Sequence, residues 1–290
     1  MASVSSGYRF FVGIGAQRSG TTWLGQYLRE HPDVGFSPLK EIRFFDSKYV
    51  DELKGIVNSP LQKKLATRGL IGELLRRPFT VPELAWHLRG IQRHDNASYQ
   101  AFMRVLARGR KIGGEISPSY ALLDEPAIRE MDELLDHPRY FLSLRNPADR
   151  LRSEASFRRS RLGADGDIDE GNIGALVARR LEESPHLNFE GTVERYDRIV
   201  GPDRFKVYFY EDLFDPDRQQ AVLDGITSFL GIAPKPGDVG KRVNASPKHE
   251  HDETERQAIV DALAGQYAFA KERFGDALPA NWKADLARLG

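Results

Sequence analysis

The stretch GIGAQRSGTT, residues 13–22, is a glycine-rich turn that directly follows an apolar run. Gly15 and Gly20 have the spacing of an ATP-binding phosphate loop, but Thr21 stands where that loop has its lysine. In nucleoside triphosphatases this lysine reaches the β- and γ-phosphates, and the hydroxyl after it holds Mg²⁺. The sequence therefore has the glycine spacing of a phosphate loop but lacks the lysine that contacts the β- and γ-phosphates of a triphosphate.

The chemistry left to this loop is the binding of one anionic group. A strand, a glycine-rich turn and a helix bring several backbone N–H groups to one point at the helix N-terminus, a geometry that binds phosphate or sulfate. Arg18 supplies a positive charge inside the turn, and Thr21 and Thr22 supply hydroxyls. Such a loop suits one phosphate of an adenylate and requires no metal ion. The alternative is an ordinary turn with Arg18 in solvent.

The stretch LRNPADRLRS is a second candidate for anion binding. Arg145 ends an apolar strand, so its side chain is expected in the crevice where α/β sheets bind ligands. Asn146 can cap the helix that follows, and Ser153 is expected on the same side of that helix as Asp149 and Arg150. An arginine and a serine at this separation can clamp a second phosphate. The alternative is a capped helix with a solvated arginine face.

The order of elements that would position these residues indicates the fold class. Continuous apolar runs, typical of strands buried on both faces, alternate with helical segments. This pattern predicts an α/β, three-layer P-loop-type fold with a central, mainly parallel five-stranded sheet flanked by helices. The first helix is expected to begin at Thr21 or Thr22 and to end before Pro32. The predicted strands are residues 8–14, 33–37, 111–116, 140–144 and 205–210.

The domain organisation follows from length and from one break in the pattern. A chain of 290 residues allows one large domain or two small ones. Residues 50–108 are helical in character and rich in leucine and arginine, which predicts a helical insertion within a single domain spanning residues 1–290.

Composition excludes several classes of function. Lysine plus arginine and aspartate plus glutamate number 42 each, a balance that argues against a nucleic-acid partner. There is no cysteine, so disulfides, thiolate zinc sites and cysteine nucleophiles are absent. The sequence shows no membrane-length apolar stretch and no secretion signal, and a cytoplasmic location is expected. Nothing in the sequence indicates an oligomeric state.

Taken together, the two motifs resemble those of sulfotransferases that use 3′-phosphoadenosine 5′-phosphosulfate (PAPS). GAQRSGTTWL looks like their 5′-phosphosulfate loop, and LRNPADRLRS looks like their 3′-phosphate motif, an arginine followed eight positions later by a serine. Further similar stretches are KEIRFFD, GEISPSY, YEDL, FLG and the closing ALPANW. The resemblance is to a bacterial member near the heparan sulfate sulfotransferases and, more distantly, the cytosolic ones.

The resemblance implies a mechanism and its residues. KEIRFFD is similar to the segment that carries the catalytic glutamate of the heparan sulfate enzymes, so Glu41 is expected to be the general base. Arg18 would stabilise the leaving phosphate, and Lys40 would assist. Alternatively, Glu41 forms a surface salt bridge with Lys40 or Arg43. A histidine base is a further alternative, with His87 and His94 as candidates in the insertion.

The resemblance also implies the nucleotide site. The expected contacts are the loop residues Gln17, Arg18, Ser19, Gly20, Thr21, Thr22 and Trp23, the pair Arg145 and Ser153, and the late basic residues Lys241 and Arg242. In the cytosolic enzymes a tryptophan that matches Trp23 stacks on adenine; the alternative is core packing. Residues 240–249 hold Lys241 and Arg242, and the alternative for them is a solvated basic loop.

The predicted function is sulfuryl transfer from PAPS, without a metal ion, to a hydroxyl, or an amine, of a glycan, lipid or small-molecule acceptor. PAP would be the product. Two other functions stay open: a small-molecule kinase with an altered phosphate loop, and a PAP-binding protein that has lost catalysis. The kinase alternative requires ATP and Mg²⁺ to bind, whereas the other requires PAP to bind without turnover.

Overall fold

The computed structural model describes residues 9–38, 41–53, 89–162, 187–237 and 253–290. The described residues contain the five strands that the sequence predicts, with ends that differ by at most two residues. They are β1 (Phe10–Gly15), β2 (Val34–Phe36), β3 (Ile112–Ile116), β4 (Arg139–Leu144) and β5 (Phe205–Phe209). The five strands form one sheet in the order β2-β3-β1-β4-β5, and every neighbouring pair is parallel. The predicted parallel α/β sheet is therefore confirmed.

Helices connect and flank the strands. They are α1 (Thr21–Arg29), α2 (Phe44–Tyr49), α3 (Asn96–Ala107), α4 (Glu125–Leu134), α5 (Pro147–Leu162), α6 (Phe189–Val200), α7 (Tyr210–Leu213), α8 (Gln219–Leu230), α9 (Glu253–Ala262), α10 (Ala264–Phe274) and α11 (Ala280–Leu286). Short 3₁₀ turns cover Asp51–Leu53, Pro118–Leu122, Gly275–Ala277 and Ala287–Leu289. The first helix begins at the predicted residue, Thr21.

Two hydrophobic cores lie on opposite faces of the sheet. Side chains alternate along a strand, so Phe10, Val12 and Ile14 of β1 belong to one core and Phe11 to the other. The second core also contains apolar residues of α1 and α8, whereas the first contains those of α3, α4, α6, α9 and α10. The sheet is thus covered on both sides, as the prediction of a three-layer fold requires.

Helix α3, which lies within the predicted insertion, packs closely on the edge strand. A Cβ atom at Gly35 of β2 would stand 1.7 Å from the carbonyl oxygen of Leu106, so only glycine allows this approach. Residues 54–88 of the insertion lie outside the described residues, and the single-domain boundary stays a prediction. Of the helices that the structure describes, none is long and apolar enough to cross a membrane.

The strand order places the candidate residues at one edge of the sheet. β1 is the central strand, and the chain moves to opposite sides of it to form β3 and β4. Such a reversal opens a crevice at the carboxyl ends of the strands, where α/β sheets bind ligands. The glycine-rich turn follows β1 at this point.

Candidate functional site

The glycine-rich turn connects β1 to α1 in a conformation that requires glycine. Gly20 is the N-cap of α1 and has φ 77°, in the left-handed region. A Cβ atom at this position would lie 3.0 Å from Cδ2 of Tyr210, so glycine also provides space. Gly20 has no side chain that could accept a hydrogen bond from the first N–H groups of α1. The start of this nine-residue helix therefore keeps the backbone donors and the positive dipole end that attract an anion.

Ser143 of strand β4 holds the backbone of the turn through two hydrogen bonds. The amide of Ala16 donates to the carbonyl of Ser143 at 2.8 Å. The Ser143 hydroxyl donates to the carbonyl of Ser19 at 2.7 Å and is fully buried. The turn is thus held at both ends by one serine.

Three arginines meet around the turn. Arg18 Nε donates to the Ser153 hydroxyl at 3.1 Å. Arg145 Nη1 donates to the carbonyl of Arg18 at 3.2 Å, and Arg150 Nε donates to the carbonyl of Gln17 at 3.2 Å. The structure thus brings the two predicted motifs together, with Arg18 and Ser153 in direct contact.

Burial and mutual repulsion of the arginines affect the electrostatics of this cluster. Burial, followed by the positive charge of Arg145, lowers the pKa of Arg18. Burial also lowers the pKa of Arg150, while the nearby carboxylate of Glu154 opposes that shift. Within the described part of the chain, buried atoms with no hydrogen-bond partner include Ser19 Oγ, Arg145 Nε and Arg150 Nη1. A bound phosphate or sulfate would relieve the repulsion and give such donors a partner.

Arg150 is a residue to which the sequence assigned no role. Its side chain is only 3 % exposed, and Nη2 pairs with Glu154 at 3.3 Å. It holds the turn through the Gln17 carbonyl. Its role could have been predicted from two features of the sequence: Arg150 lies three residues before Ser153, and Glu154 lies four residues after Arg150. Asp149, which was expected on the same side of the helix, bonds Arg256 and Asn281.

Aromatic rings flank the arginines on the β5 side. The guanidinium of Arg145 lies 4.5 Å from the centre of the Tyr210 ring, and Tyr210 contacts Phe214. Trp23 is buried, stacks on Tyr27 with centroids 5.9 Å apart and meets Phe214 edge to face. These contacts satisfy the core-packing alternative for Trp23, and its stacking on adenine stays a prediction.

The segment that carries Glu41 lies at the same edge of the sheet, next to the end of β3. The Ile42 amide donates to Glu115 Oε2 at 3.3 Å, and the Arg43 amide donates to the Ser117 hydroxyl at 3.2 Å. Glu41 itself is half-buried. Arg43 Nε makes an ion pair with Asp46 Oδ2 at 3.0 Å.

A polar chain connects this segment to the glycine-rich turn. Asp46 is fully buried, which raises its pKa, and it accepts hydrogen bonds from Arg43 and the Ser119 side chain. Ser119 Oγ in turn lies 3.5 Å from Gln17 Nε2. The two halves of the candidate site therefore share contacts through Ser119.

The first residues after β4 are held by a network that we call the Asp285 anchor: Asn146, Asp149, Glu211, Arg256, Tyr267, Asn281, Trp282 and Asp285. Asn146 Oδ1 accepts from the amides of Ala148 and Asp149 at 3.0 and 3.2 Å, which confirms it as the cap of α5. Asn146 Nδ2 donates to Asp285 Oδ2 at 2.8 Å, and its backbone amide donates to Glu211 Oε1 at 2.9 Å. The residue next to Arg145 is thus bonded on three sides.

Arg256 pairs with two carboxylates of the Asp285 anchor, and Arg288 Nε lies 3.5 Å from Asp285 Oδ1. Arg256 donates to both oxygens of Asp285 at 2.7 Å and to Asp149 at 2.8 Å. These hydrogen bonds and charges raise the pKa of Arg256 despite its burial. Desolvation raises the pKa of Glu211, which is partly buried and accepts from the Trp282 indole at 3.1 Å. The C-terminal helix α11 therefore positions the start of α5.

Several predicted residues lie outside the described part of the chain: Lys40, His87, Lys241 and Arg242. The other candidate base, His94, contacts the Ser47 hydroxyl at 3.1 Å and the edge of Phe44. Burial lowers the pKa of His94, which favours its neutral form. Thr21 and Thr22 lie in the first turn of α1, as predicted.

Comparison with known proteins finds similarity to sulfotransferases. A family model described as "Sulfotransferase family" matches residues 11–236, which is most of the chain. A curated relative, "Membrane-associated sulfotransferase kil1" of Dictyostelium discoideum, is 35 % identical over 79 residues. That alignment covers 26 % of this chain and 17 % of the relative's length.

Solved structures share the fold over nearly the whole chain. A sulfotransferase from Alicyclobacillus acidocaldarius superposes with a TM-score of 0.59 at 19 % identity, covering 95 % of this chain and 98 % of the other. A sulfotransferase domain from the curacin biosynthetic pathway gives a TM-score of 0.51 at 18 % identity, with 97 % of each chain covered. At these identities the two structures support the fold alone.

Proposed function

This chain belongs to the sulfotransferase family, and we propose that it transfers the sulfuryl group of PAPS to a hydroxyl of a glycan, lipid or small-molecule acceptor. The observation that carries the proposal is the meeting of Arg18, Arg145 and Arg150 at the N-terminus of α1, with buried donors that lack partners. PAPS presents two anionic groups. The cluster has arginines from two segments, Arg18 from the glycine-rich turn and Arg145 and Arg150 from the segment after β4, which could bind them. The resemblance of the KEIRFFD segment supports a sugar hydroxyl as acceptor, with an amine as the lesser choice.

The residues divide by the group that they would hold. The amides of the turn, Arg18 and the hydroxyls of Thr21 and Thr22 would bind the 5′-phosphosulfate. Arg145 and Ser153 would bind the 3′-phosphate, with Lys241 and Arg242 as further contacts. PAPS supplies the activated sulfuryl group, and positioning and charge neutralisation by the protein do most of the catalytic work in transfers of this kind.

The remaining steps concern the proton and the leaving charge. Glu41, at the carboxyl edge of the sheet, would accept the proton of the acceptor hydroxyl, which requires hydrogen-bond reach. Arg18 would stabilise the negative charge that develops on the leaving phosphate, through a guanidinium that stays charged throughout. Lys40 would add to that stabilisation.

The test is a calorimetric titration of the whole chain in EDTA with PAP, adenosine 5′-phosphosulfate and ATP, and of ATP with excess Mg²⁺. We expect PAP to bind most tightly and without metal. Tight binding of ATP only with Mg²⁺ would favour the kinase alternative, and loss of PAP binding in EDTA would contradict the proposed site. Turnover of labelled PAPS across a panel of glycan, lipid and small-molecule acceptors then distinguishes an enzyme from a protein that only binds PAP.

A further inference from the structure

Glu115 is a buried acidic residue that the proposed mechanism does not use. It lies on β3, and its side chain is 1 % exposed. Within the described residues no lysine, arginine or histidine pairs with it. Transfer of a carboxylate into an apolar interior is costly unless hydrogen bonds compensate it, so such a residue needs a reason beyond packing.

Four neutral donors surround the carboxylate. Oε1 accepts from the hydroxyls of Tyr99 at 2.6 Å and Tyr120 at 3.0 Å. Oε2 accepts from the Ser117 hydroxyl at 2.6 Å and from the Ile42 amide at 3.3 Å. We call Glu115, Ser117, Tyr99 and Tyr120 the Glu115 anchor.

The Glu115 anchor binds three consecutive backbone amides directly after Glu41. The Ile42 amide reaches the carboxylate itself. The Arg43 amide donates to Ser117 Oγ at 3.2 Å, and the Phe44 amide donates to the Tyr120 hydroxyl at 3.0 Å. Each of these hydroxyls already donates its hydrogen to Glu115, so both of their oxygens are oriented to accept.

These bonds replace regular secondary structure in this segment. Residues 41–43 belong to no helix or strand, and Arg43, the N-cap of α2, gives that helix no side-chain cap. Without the anchor, the Phe44 amide at the start of α2 would lose its partner, the Tyr120 hydroxyl. The buried side chains of Ile42, Phe44 and Phe45 fix the segment from the other side.

We infer that Glu115 is a positioning residue for Glu41, acting through the backbone of residues 42–44. The inference rests on the proposed role of Glu41 as general base. Proton transfer needs the base within hydrogen-bond reach of the acceptor, and a displacement of about 1 Å can cost about 10²-fold in rate. A single carboxylate that orients three amides limits such displacement, whereas it makes no contact with the arginines of the nucleotide site.

The experiment compares two small deletions with a matched control. Ser117→Ala removes the acceptor of the Arg43 amide, and Tyr120→Phe removes that of the Phe44 amide. Tyr196→Phe is the control, because its buried hydroxyl donates to the Tyr120 carbonyl at 2.9 Å and touches neither Glu115 nor residues 42–44. For each folded variant, turnover at saturating PAPS, the KM for PAPS and the melting temperature are measured. Glu115→Gln is added if it folds.

We expect Ser117→Ala and Tyr120→Phe to lower kcat by about tenfold, up to about 10²-fold for Glu115→Gln, with the KM for PAPS unchanged. Tyr196→Phe should lower the melting temperature without changing kcat. In a Glu41→Gln background, the two deletions should have little further effect on the residual rate, because residues that act as a unit are not additive.

The outcomes separate the inference from the proposal beneath it. If Glu41→Gln keeps full turnover, the proposed base is wrong. If Glu41→Gln is inactive but folded Ser117→Ala and Tyr120→Phe keep wild-type kcat, the base stands and the positioning role of Glu115 is wrong. Losses of kcat that track melting temperature in all variants, the control included, would also overturn it.

Discussion

The Glu115 anchor and the Asp285 anchor hold two loops at the same edge of the sheet by different chemistry. In the first, one buried carboxylate accepts only from uncharged groups. In the second, the carboxylates of Asp149 and Asp285 share the guanidinium of Arg256. The first anchor therefore contains an uncompensated charge, and the second contains an ion-pair network.

The difference has a consequence for how each anchor responds to its surroundings. Burial raises the pKa of Glu115 to about 7, although its four donors favour the ionised form. The hydrogen bonds and charges of the Asp285 anchor instead raise the pKa of its cation, Arg256. Buried carboxylates without a cation are sensitive to pH, whereas carboxylates paired with arginine are sensitive to the loss of a partner.

The two anchors also serve different parts of the proposed reaction. The Glu115 anchor fixes the segment after Glu41, on the side where the acceptor would react. The Asp285 anchor fixes Asn146, next to Arg145, on the side of the nucleotide. Variants on the first side should change the rate of transfer, and variants on the second should change nucleotide affinity. The predictions below test this division.

The largest effect is expected at Glu41. Glu41→Gln removes the carboxylate but keeps its shape, so sulfuryl transfer should fall by about 10²–10⁴, the usual contribution of a positioned acid–base group. PAP affinity should stay near wild type because Glu41 would face the acceptor. Turnover, PAP titration and melting temperature on this variant provide the measurement. A purely structural role would instead lower the melting temperature with near-normal turnover per folded molecule, and His94 and His87 would then be tested as bases.

The sequence was sufficient to predict the sheet and the start of α1, because both depend on local patterns, whereas the nucleotide-binding roles of the residues around the turn stay predictions. Continuous apolar runs give buried strands, and Gly20, the N-cap of α1, stands at a positive φ. The two anchors were not predictable in the same way. Glu115 acts on residues more than seventy positions before it, and Asp285 acts on Asn146 from the end of the chain.

Arg150 illustrates the same limit within a recognised motif. Helical spacing placed Arg150 near Ser153. Whether its guanidinium is solvated or buried depends on the hydrogen-bond acceptors around it. Here the carbonyl of Gln17 and the carboxylate of Glu154 are those acceptors. Asp149, one residue earlier, forms an ion pair with Arg256, which lies more than one hundred positions later in the sequence.

The second prediction removes a partner from the Asp285 anchor. Asp285→Ala leaves Arg256 paired with Asp149 alone and takes an acceptor from Asn146, and breaking a buried pair in this way costs about 3–5 kcal/mol. Unfolding in denaturant should show a loss of this size. For the folded fraction, the KM for PAPS should rise while kcat at saturating PAPS stays close to wild type. A selective loss of kcat would contradict the division between the two sides.

The third prediction uses the uncompensated charge of Glu115. Its pKa is raised in the folded protein from 4.5 to about 7, so the stabilisation from its protonated form is complete below pH 4.5 and is lost as the pH rises through 7. The neighbouring titratable groups are Tyr99, Tyr120 and Asp46, which are present in both proteins compared. Between about pH 5 and 8, wild type should lose about 3 kcal/mol of stability relative to Glu115→Gln. A stability difference that does not change with pH would contradict this account.

The smallest effect is expected where the contacts are most specific. Arg145→Ala and Ser153→Ala should weaken PAP more than adenosine 5′-phosphate, because both side chains would contact only the 3′-phosphate. Hydrogen bonds to charged groups contribute about 1.5–3 kcal/mol each, which corresponds to a loss of about 10- to 150-fold in affinity. Arg152→Ala is the matched control: this arginine lies on the same helix but pairs with Glu255 at 3.5 Å. Titration of each variant with both nucleotides gives the comparison. Equal losses for the two nucleotides would place Arg145 and Ser153 on the 5′ side, and the arginine cluster would then bind one anionic group instead of two.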